Sequence, residues 1–197
     1  MSQEKQNPRG RPPSKAARAK ALAAAVDILM QEGFGRLTID AVAMRSGVGK
    51  PTIYRNWANA SELAMAALME SQPKVSLQTA GSLSDRLEHQ IMAIVAAFAT
   101  TRGRQIGLAL AAADRDSEMT RAFRNRVILS GREVGRGLIA EAVREGQIAA
   151  PESTEVILDM IYAPIFYRLL VGHLPLDQPF ARALVDKGMQ LLGQATS

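Results

Sequence analysis

Residues 38–57, Thr38-Ile39-Asp40-Ala41-Val42-Ala43-Met44-Arg45-Ser46-Gly47-Val48-Gly49-Lys50-Pro51-Thr52-Ile53-Tyr54-Arg55-Asn56-Trp57, limit what this chain can fold into more than any other stretch. Thr38 is an N-cap residue, and Ile39, Val42 and Ala43 give the helix behind it an inward face. Ser46-Gly47-Val48 reads as a tight turn, with Gly47 able to take positive φ and Val48 plugging the hinge. A second short helix opens at about Lys50 and runs to Trp57. Pro51 lies in its first turn, where a missing N–H costs nothing. Ile53 and Trp57, four apart, anchor it to a core, and the small Ala43 lets the two helices approach closely. Two short helices joined by a glycine turn have helix-turn-helix proportions.

The anchors leave Lys50, Thr52, Tyr54, Arg55 and Asn56 on or near the exposed face. Lys and Arg read guanine edges or phosphate, Thr meets a thymine methyl, and Tyr and Asn bond phosphate or base. Thr38, at a helix start, is placed to donate to a phosphate with the helix dipole behind it. Two amphipathic helices inside an ordinary bundle would show the same pattern, so the placement of charge matters. The net charge is +5, but residues 1–57 carry +6 and the remainder −1. A basic end on a neutral body is either a polyanion-binding module or a solvated tail. Its coincidence with the helix pair favours the first.

The rest of the chain reads as helix throughout. The polar, Pro/Gly/Gln-rich residues 1–13 cannot bury enough surface to order themselves. Ser14 caps an alanine-rich helix to about Glu32, with Leu22, Val26 and Leu29 on one face, and Gly33 stops it. Asn59 with Glu62 opens a fourth helix that ends before Pro73, and Ser82 with Asp85 opens a fifth. Further helices are expected over about 105–113, 117–145, 153–171 (kinked at Pro164) and 178–192. No alternating strand pattern appears, so the fold class is all-α with about nine helices. The organisation expected is a basic arm over 1–13, a helix-turn-helix domain over 14–58, and a helical body over 59–197 for ligand binding and dimerisation.

Composition closes off other classes. The chain has 197 residues, 47% of them hydrophobic, and no cysteine, so thiolate zinc sites, cysteine nucleophiles and disulfide scaffolds are excluded. Two histidines far apart, His89 and His173, argue against a metal site. No apolar run reaches the roughly 18 residues of a membrane span, and the polar start is no secretory signal; a cytoplasmic location without membrane contact is expected. There is no Gly-x-Ser-x-Gly elbow, no phosphate-cradling loop and no His-Glu-x-x-His. Acids and hydroxyls sit at helix starts, where capping explains them, so neither catalysis nor a cofactor is expected.

Residues 14–63 resemble the N-terminal domain of the tetracycline-repressor (TetR) family of bacterial regulators. The resemblance rests on a helix ending at Gly33-Phe34, then Leu37 to Ala43, Gly47-Val48, Pro51 to Trp57, and Glu62-Leu63. It implies a homodimeric, all-helical repressor that a small ligand releases from double-stranded DNA. It also implies that Thr38 bonds phosphate and that Lys50, Pro51, Thr52 and Tyr54 face the major groove. Asn56 stands where the family often has His and contacts phosphate; Trp57 stands where Phe is frequent. Ala60 replaces a frequent phosphate-gripping Lys, which should weaken affinity without changing sequence choice. In the arm, Arg9 and Arg11 within Pro8-Arg9-Gly10-Arg11-Pro12 suit a narrow minor groove, although a plain solvated tail has the same composition.

The body is less legible. Met65, Met69, Met92, Phe98, Phe123, Tyr162 and Phe166 are candidates for lining a pocket for a small apolar or amphipathic effector, but Met and aromatic residues also fill ordinary cores. Arg102-Gly103-Arg104 either attracts an acidic ligand or forms a surface turn. The last two helices carry more apolar surface than one face needs. Ile157, Ile161, Ile165, Leu169, Phe180, Leu184 and Leu191 are the candidates for a dimer interface. A twofold dimer implies an inverted-repeat DNA site. A body that binds a protein partner, or nothing, is the alternative, and a small all-α enzyme a remote one.

Overall fold

A computed structural model of the chain describes residues 15–70 and 81–194. Ser14, the arm 1–13 with Arg9 and Arg11, and Pro73 lie outside the described residues. All regular structure among those described is helical. The helices are α1 (Lys15–Gln31), α2 (Ile39–Ser46), α3 (Lys50–Tyr54), α4 (Ala60–Glu70), α5 (Leu83–Phe98), α6 (Thr101–Ala111), α7 (Glu118–Phe123), α8 (Ser130–Arg144), α9 (Thr154–Val171) and α10 (Gln178–Gln194). A 3-10 turn covers Phe34–Arg36, and a π-helical stretch, Arg124–Leu129, joins α7 to α8. Counted with that stretch as one rod, the described residues form nine helical rods.

Helix starts follow the capping chemistry. Thr38 Oγ1 accepts from the Ala41 N–H at 3.0 Å. Ser82 and Asp85 form a reciprocal capping box at the start of α5. Ser117 caps α7, Ser153 caps α9, and Asp177 Oδ1 accepts from the Phe180 N–H at 2.9 Å. Asn59 Oδ1 accepts from the Glu62 N–H, while the Glu62 carboxylate reaches one residue further back, to the Ala58 N–H.

Three stretches depart from the sequence expectation. Helix α3 is shorter, because its last turn tightens: the Asn56 and Trp57 N–H groups both donate to the Ile53 carbonyl. Helix α6 starts four residues early, capped by Thr100, whose Oγ1 accepts from the Gly103 N–H at 3.1 Å. Arg102-Gly103-Arg104 is therefore helix and not a surface turn. Gly103 is required there, since a Cβ would stand 2.4 Å from the Phe98 backbone. The single helix expected over 117–145 contains the π-helical stretch, which resets the register between its two halves.

Helix α4 holds the molecule together. Leu63, Ala64, Met65, Ala66, Ala67 and Leu68 are six consecutive buried residues, so the helix is covered on every side. It packs on α1 in one direction and on α6 and α7 in the other. Below it, α5 packs against α8 and α10, and α9 packs against α6, α8 and α10.

Candidate nucleic-acid interface and body cavity

Local backbone chemistry builds the α2–α3 pair. Gly47 caps α2 in the left-handed region (φ 67°), its N–H donating to the Ala43 carbonyl; most side chains resist that conformation. Ser46 Oγ accepts from the Val48 N–H, and Val48 is buried at the hinge. Ile53 and Trp57 are buried, 0% and 2% exposed. The Arg18 guanidinium lies 5.7 Å from the centre of the Trp57 ring and pairs with Glu70 on α4, tying α1, α4 and the end of the helix pair together.

With that inner face anchored, the outer one is open. Thr38, Lys50, Pro51, Tyr54 and Arg55 are exposed, Tyr54 by 54%, and Thr52 and Asn56 are half-buried. Arg55 Nη2 donates to Thr52 Oγ1 at 3.0 Å, and Asn56 Nδ2 donates to the Thr52 carbonyl at 2.8 Å. Thr38 Oγ1 uses a lone pair for its cap, which leaves the hydroxyl proton to donate outward. Lys50 Nζ sits 2.8 Å from Asp40 Oδ1 of α2, and that carboxylate raises the pKa of the Lys50 ammonium.

Two features of this face were missed in the sequence. Lys20 of α1 lines a shallow groove with Gly47, Gly49 and Thr52, because α1 passes beside the turn. Met44 is 84% exposed on α2. Only a break in the apolar period at 44 hinted at the second, and nothing local hinted at the first.

The body encloses a cavity of about 360 Å³ between α5, α6, α8, α9 and the π-helical stretch. Phe98, Tyr162 and Phe166 line it; Phe98 and Phe166 meet edge-to-face at 5.2 Å. Met65, Met69, Met92 and Phe123 do not. Met65 and Phe123 are fully buried under α4 and α7, with Met65 Sδ 3.9 Å from Thr120 Oγ1. Met69 and Met92 pack against the core outside the cavity. The π-helical register instead brings Val127 and Ile128 to the wall. Tyr162 Oη donates to Gln90 Oε1 at 2.7 Å, and burial pushes the phenol up to about 12.

The candidate interface residues divide. Ile161, Ile165 and Phe180 are buried inside this chain. Ile161 lies over Gly188 of α10, where a Cβ would stand 2.9 Å from its Cδ1, and Phe180 lies under the Arg168 guanidinium at 3.6 Å. Leu169 is half-buried and lies against Gly107 of α6; Ile157, Leu184 and Leu191 are also half-buried. The exposed apolar row on and beyond α9 is Val156, Met160, Tyr167, Leu170, Val171 and Leu174.

No described helix is long and apolar enough to cross a membrane, and the described residues hold no cluster suited to a metal ion. His89 and His173 are exposed, the latter edge-on to Tyr167 at 5.0 Å.

Comparison with known proteins gives a consistent answer. The sequence model for the tetracyclin repressor-like C-terminal domain matches residues 77–187, and that for bacterial regulatory proteins of the tetR family matches 21–67. An HTH-type transcriptional regulator of Bacillus subtilis (strain 168), YdeS, is 31% identical over 98% of this chain and 97% of its own length. A DNA-binding transcriptional repressor, TetR, of Mycobacteroides abscessus is 29% identical over 88% of this chain and 92% of its own. Among solved structures, the TetR family transcription regulator SCO0332 superposes with a TM-score of 0.65 at 27% identity, covering 90% of this chain and 98% of that one. The FadR regulator of Bacillus subtilis, solved with stearoyl-CoA, shares the fold: TM-score 0.59 at 18% identity, over 91% of this chain and 99% of its own.

Proposed function

This chain belongs to the TetR family of DNA-binding transcriptional regulators, and we propose that it is a homodimeric repressor that leaves an inverted-repeat operator when a small organic ligand enters its body. The observation that carries the reading is the two-sidedness of α3 and the turn that follows it: Ile53 and Trp57 are sealed below while Lys50, Tyr54 and Arg55 stand open above. Lys50, Pro51, Thr52, Tyr54 and Arg55 then meet the major groove, and Thr38 and Asn56 the phosphates. Lys20 adds a further cation beside the turn. Arg9 and Arg11 of the arm complete the set by entering the minor groove. The helix-turn-helix part is taken as residues 14–58 and the ligand and dimer part as 59–197, with α4 as the shared element. The reading includes no catalytic step, and it places the protein in the cytoplasm.

The dimer face supported best is the exposed row Val156, Met160, Tyr167, Leu170, Val171 and Leu174. From Val156 to Val171 its spacings of three, four and seven give one seam along α9, Leu174 lies just beyond the helix end, and a second copy covers the row by twofold symmetry. Ile157, Leu169, Leu184 and Leu191 flank it. The cavity between α5, α6 and α9 is the ligand site.

Selection of genomic fragments bound by the full chain, at a stated salt concentration, tests the reading. Wild type should enrich an inverted repeat that Tyr54→Ala fails to recover. Enrichment of the same repeat by both proteins would overturn the docking of α3, and a single half-site without symmetry would overturn the dimer.

A further inference from the structure

We infer that the body cavity takes a hydrocarbon alcohol, an uncharged ligand whose hydroxyl donates to the phenol oxygen of Tyr162. The inference rests on the ligand-site reading above and goes further, to the class of ligand and the residue that selects it. The wall is mainly apolar: Ile94, Phe98, Ile106, Val127 and Phe166 supply much of it. Hydrocarbon is therefore the natural filling for the interior. What a polar group on that hydrocarbon meets is set by the hydroxyls of the wall.

Among the described residues, Thr100, Ser130 and Tyr162 bring hydroxyls to the wall, and each hydroxyl has one proton to give. Thr100 Oγ1 donates to the Ala97 carbonyl at 2.8 Å, and Ser130 Oγ donates to the Arg126 carbonyl at 2.9 Å. A carbonyl only accepts, so the direction of both bonds is fixed. The same logic reaches Tyr162 one step further on. The Gly131 carbonyl bonds the Gln90 side chain, so the group that faces it is the amide Nε2. That turns Gln90 Oε1 toward Tyr162, and the phenol donates to it at 2.7 Å. Burial pushes the phenol up to about 12, so its proton stays on at neutral pH. The three protons are committed to the protein, while each oxygen keeps a lone pair. A ligand group that meets one of these oxygens must bring its own proton. A hydroxyl does so; an ether or an ester sets lone pair against lone pair. Of the three, Tyr162 is buried, and Thr100 and Ser130 are exposed. A hydrogen bond to the Tyr162 oxygen therefore forms away from water, where it counts most. A charged donor such as an ammonium would leave water for a mainly apolar wall at far greater cost.

The probes are octanol and heptyl methyl ether, isomers of equal length of which only the alcohol carries a hydroxyl proton. Binding to the full-length protein is measured by calorimetry. Ala93→Phe, which fills the cavity, is the control for location. A plain apolar cavity would favour the ether, which has less to lose on leaving water. Wild type should instead bind octanol about fivefold more tightly than the ether, and Ala93→Phe should abolish binding of both. Gln90→Leu releases the Tyr162 proton, so ether affinity should rise about fivefold and the preference for octanol should vanish. Adding Tyr162→Phe to Gln90→Leu should remove that gain, which assigns it to the phenol and not to a reshaped cavity. Ether binding as tight as octanol binding to wild type overturns the inference, and this comparison stands by itself if a variant does not fold. Unchanged ether affinity in folded Gln90→Leu protein overturns it as well, because the phenol then does not meet the ligand. Octanol binding that survives Ala93→Phe overturns it by locating the alcohol elsewhere. Failure of both probes, on protein that still selects its operator, overturns the ligand-site reading itself.

Discussion

The side-chain carbonyl of Gln105 accepts a hydrogen bond from the Phe34 backbone N–H at 2.7 Å across 71 residues of sequence. Gln105 is buried on α6, whose first turn carries Arg102 on the cavity wall. Phe34 opens the 3-10 turn between α1 and α2. A buried amide thus joins the helix beside the cavity to the segment that leads into the helix-turn-helix pair. Gln105→Leu keeps the volume and removes the acceptor, leaving the N–H unpaired at a cost of about 1–3 kcal/mol. The expected result is a drop in Tm of a few degrees in thermal denaturation, with Gln105→Glu falling less. Unchanged Tm for the leucine variant would show that the bond contributes nothing.

Lys50 is held by Asp40 in the free protein, so DNA binding has to exchange that carboxylate for a phosphate or a base edge. Both residues are well exposed, and such a pair adds little to stability. Asp40→Asn should leave the fold intact and raise affinity for DNA at low salt. The plot of log affinity against log salt should steepen by about one counterion, as another cation becomes available to phosphate. Fluorescence anisotropy with one operator duplex over a salt series measures both. An unchanged slope would mean that Lys50 does not pair with a phosphate.

Gly103 stands where α6 turns back on the end of α5, with no room for a side chain. Gly103→Ala pushes a methyl group into the Phe98 backbone, which cannot swing aside as a side-chain tip would. The expected loss is about 1–3 kcal/mol, read from urea unfolding. Gly137→Ala on α8 is the contrast, since nothing lies within 4 Å of its Cβ position. There the better helix propensity of alanine should hold or raise stability. If the two variants behave alike, the close approach at Gly103 does not limit stability.

Glu155 is bracketed by Arg136 and Arg132 of α8, whose hydrogen bonds hold its carboxyl down to about 2. An unfolded Glu titrates near 4.3. The native value is the lower one, so the unfolded chain takes up its proton first as pH falls. The contribution is present in full above the unfolded value and is lost as pH falls toward 2. The carboxylate is exposed, so salt should shrink it. Glu155→Gln should therefore lower Tm at pH 6 and converge on wild type near pH 2, in a thermal series across that range. A gap independent of pH would assign the loss to packing.

Much of the DNA-binding half was legible before any coordinates because its determinants are local. Thr38 caps a helix through a group three residues away, Gly47 makes a turn from its own φ, and Ile53 and Trp57 share a face because they are four apart. The same near-neighbour physics marked Ser82 with Asp85 as a helix start and Gly33 as a helix end. Where local geometry departed, at the π-helical stretch 124–129, periodicity gave no warning, and Val127 and Ile128 were left out of the cavity wall.

By itself, then, the sequence determined the helical class, the helix-turn-helix pair and the outward placing of Lys50, Tyr54 and Arg55, all through contacts within four residues. The tertiary structure alone decided which apolar residues face what. Met65 and Phe123 went into the core and Phe98, Tyr162 and Phe166 to the cavity. Ile161, Ile165 and Phe180 turned inward and left Met160 and Tyr167 open. It also decided the pairings of Lys50 with Asp40 and Phe34 with Gln105, and the place of Arg102 at the cavity edge. Composition shows that a residue can be buried; only the packing of helices distant in sequence shows against what, because an apolar side chain is equally satisfied by any apolar neighbour.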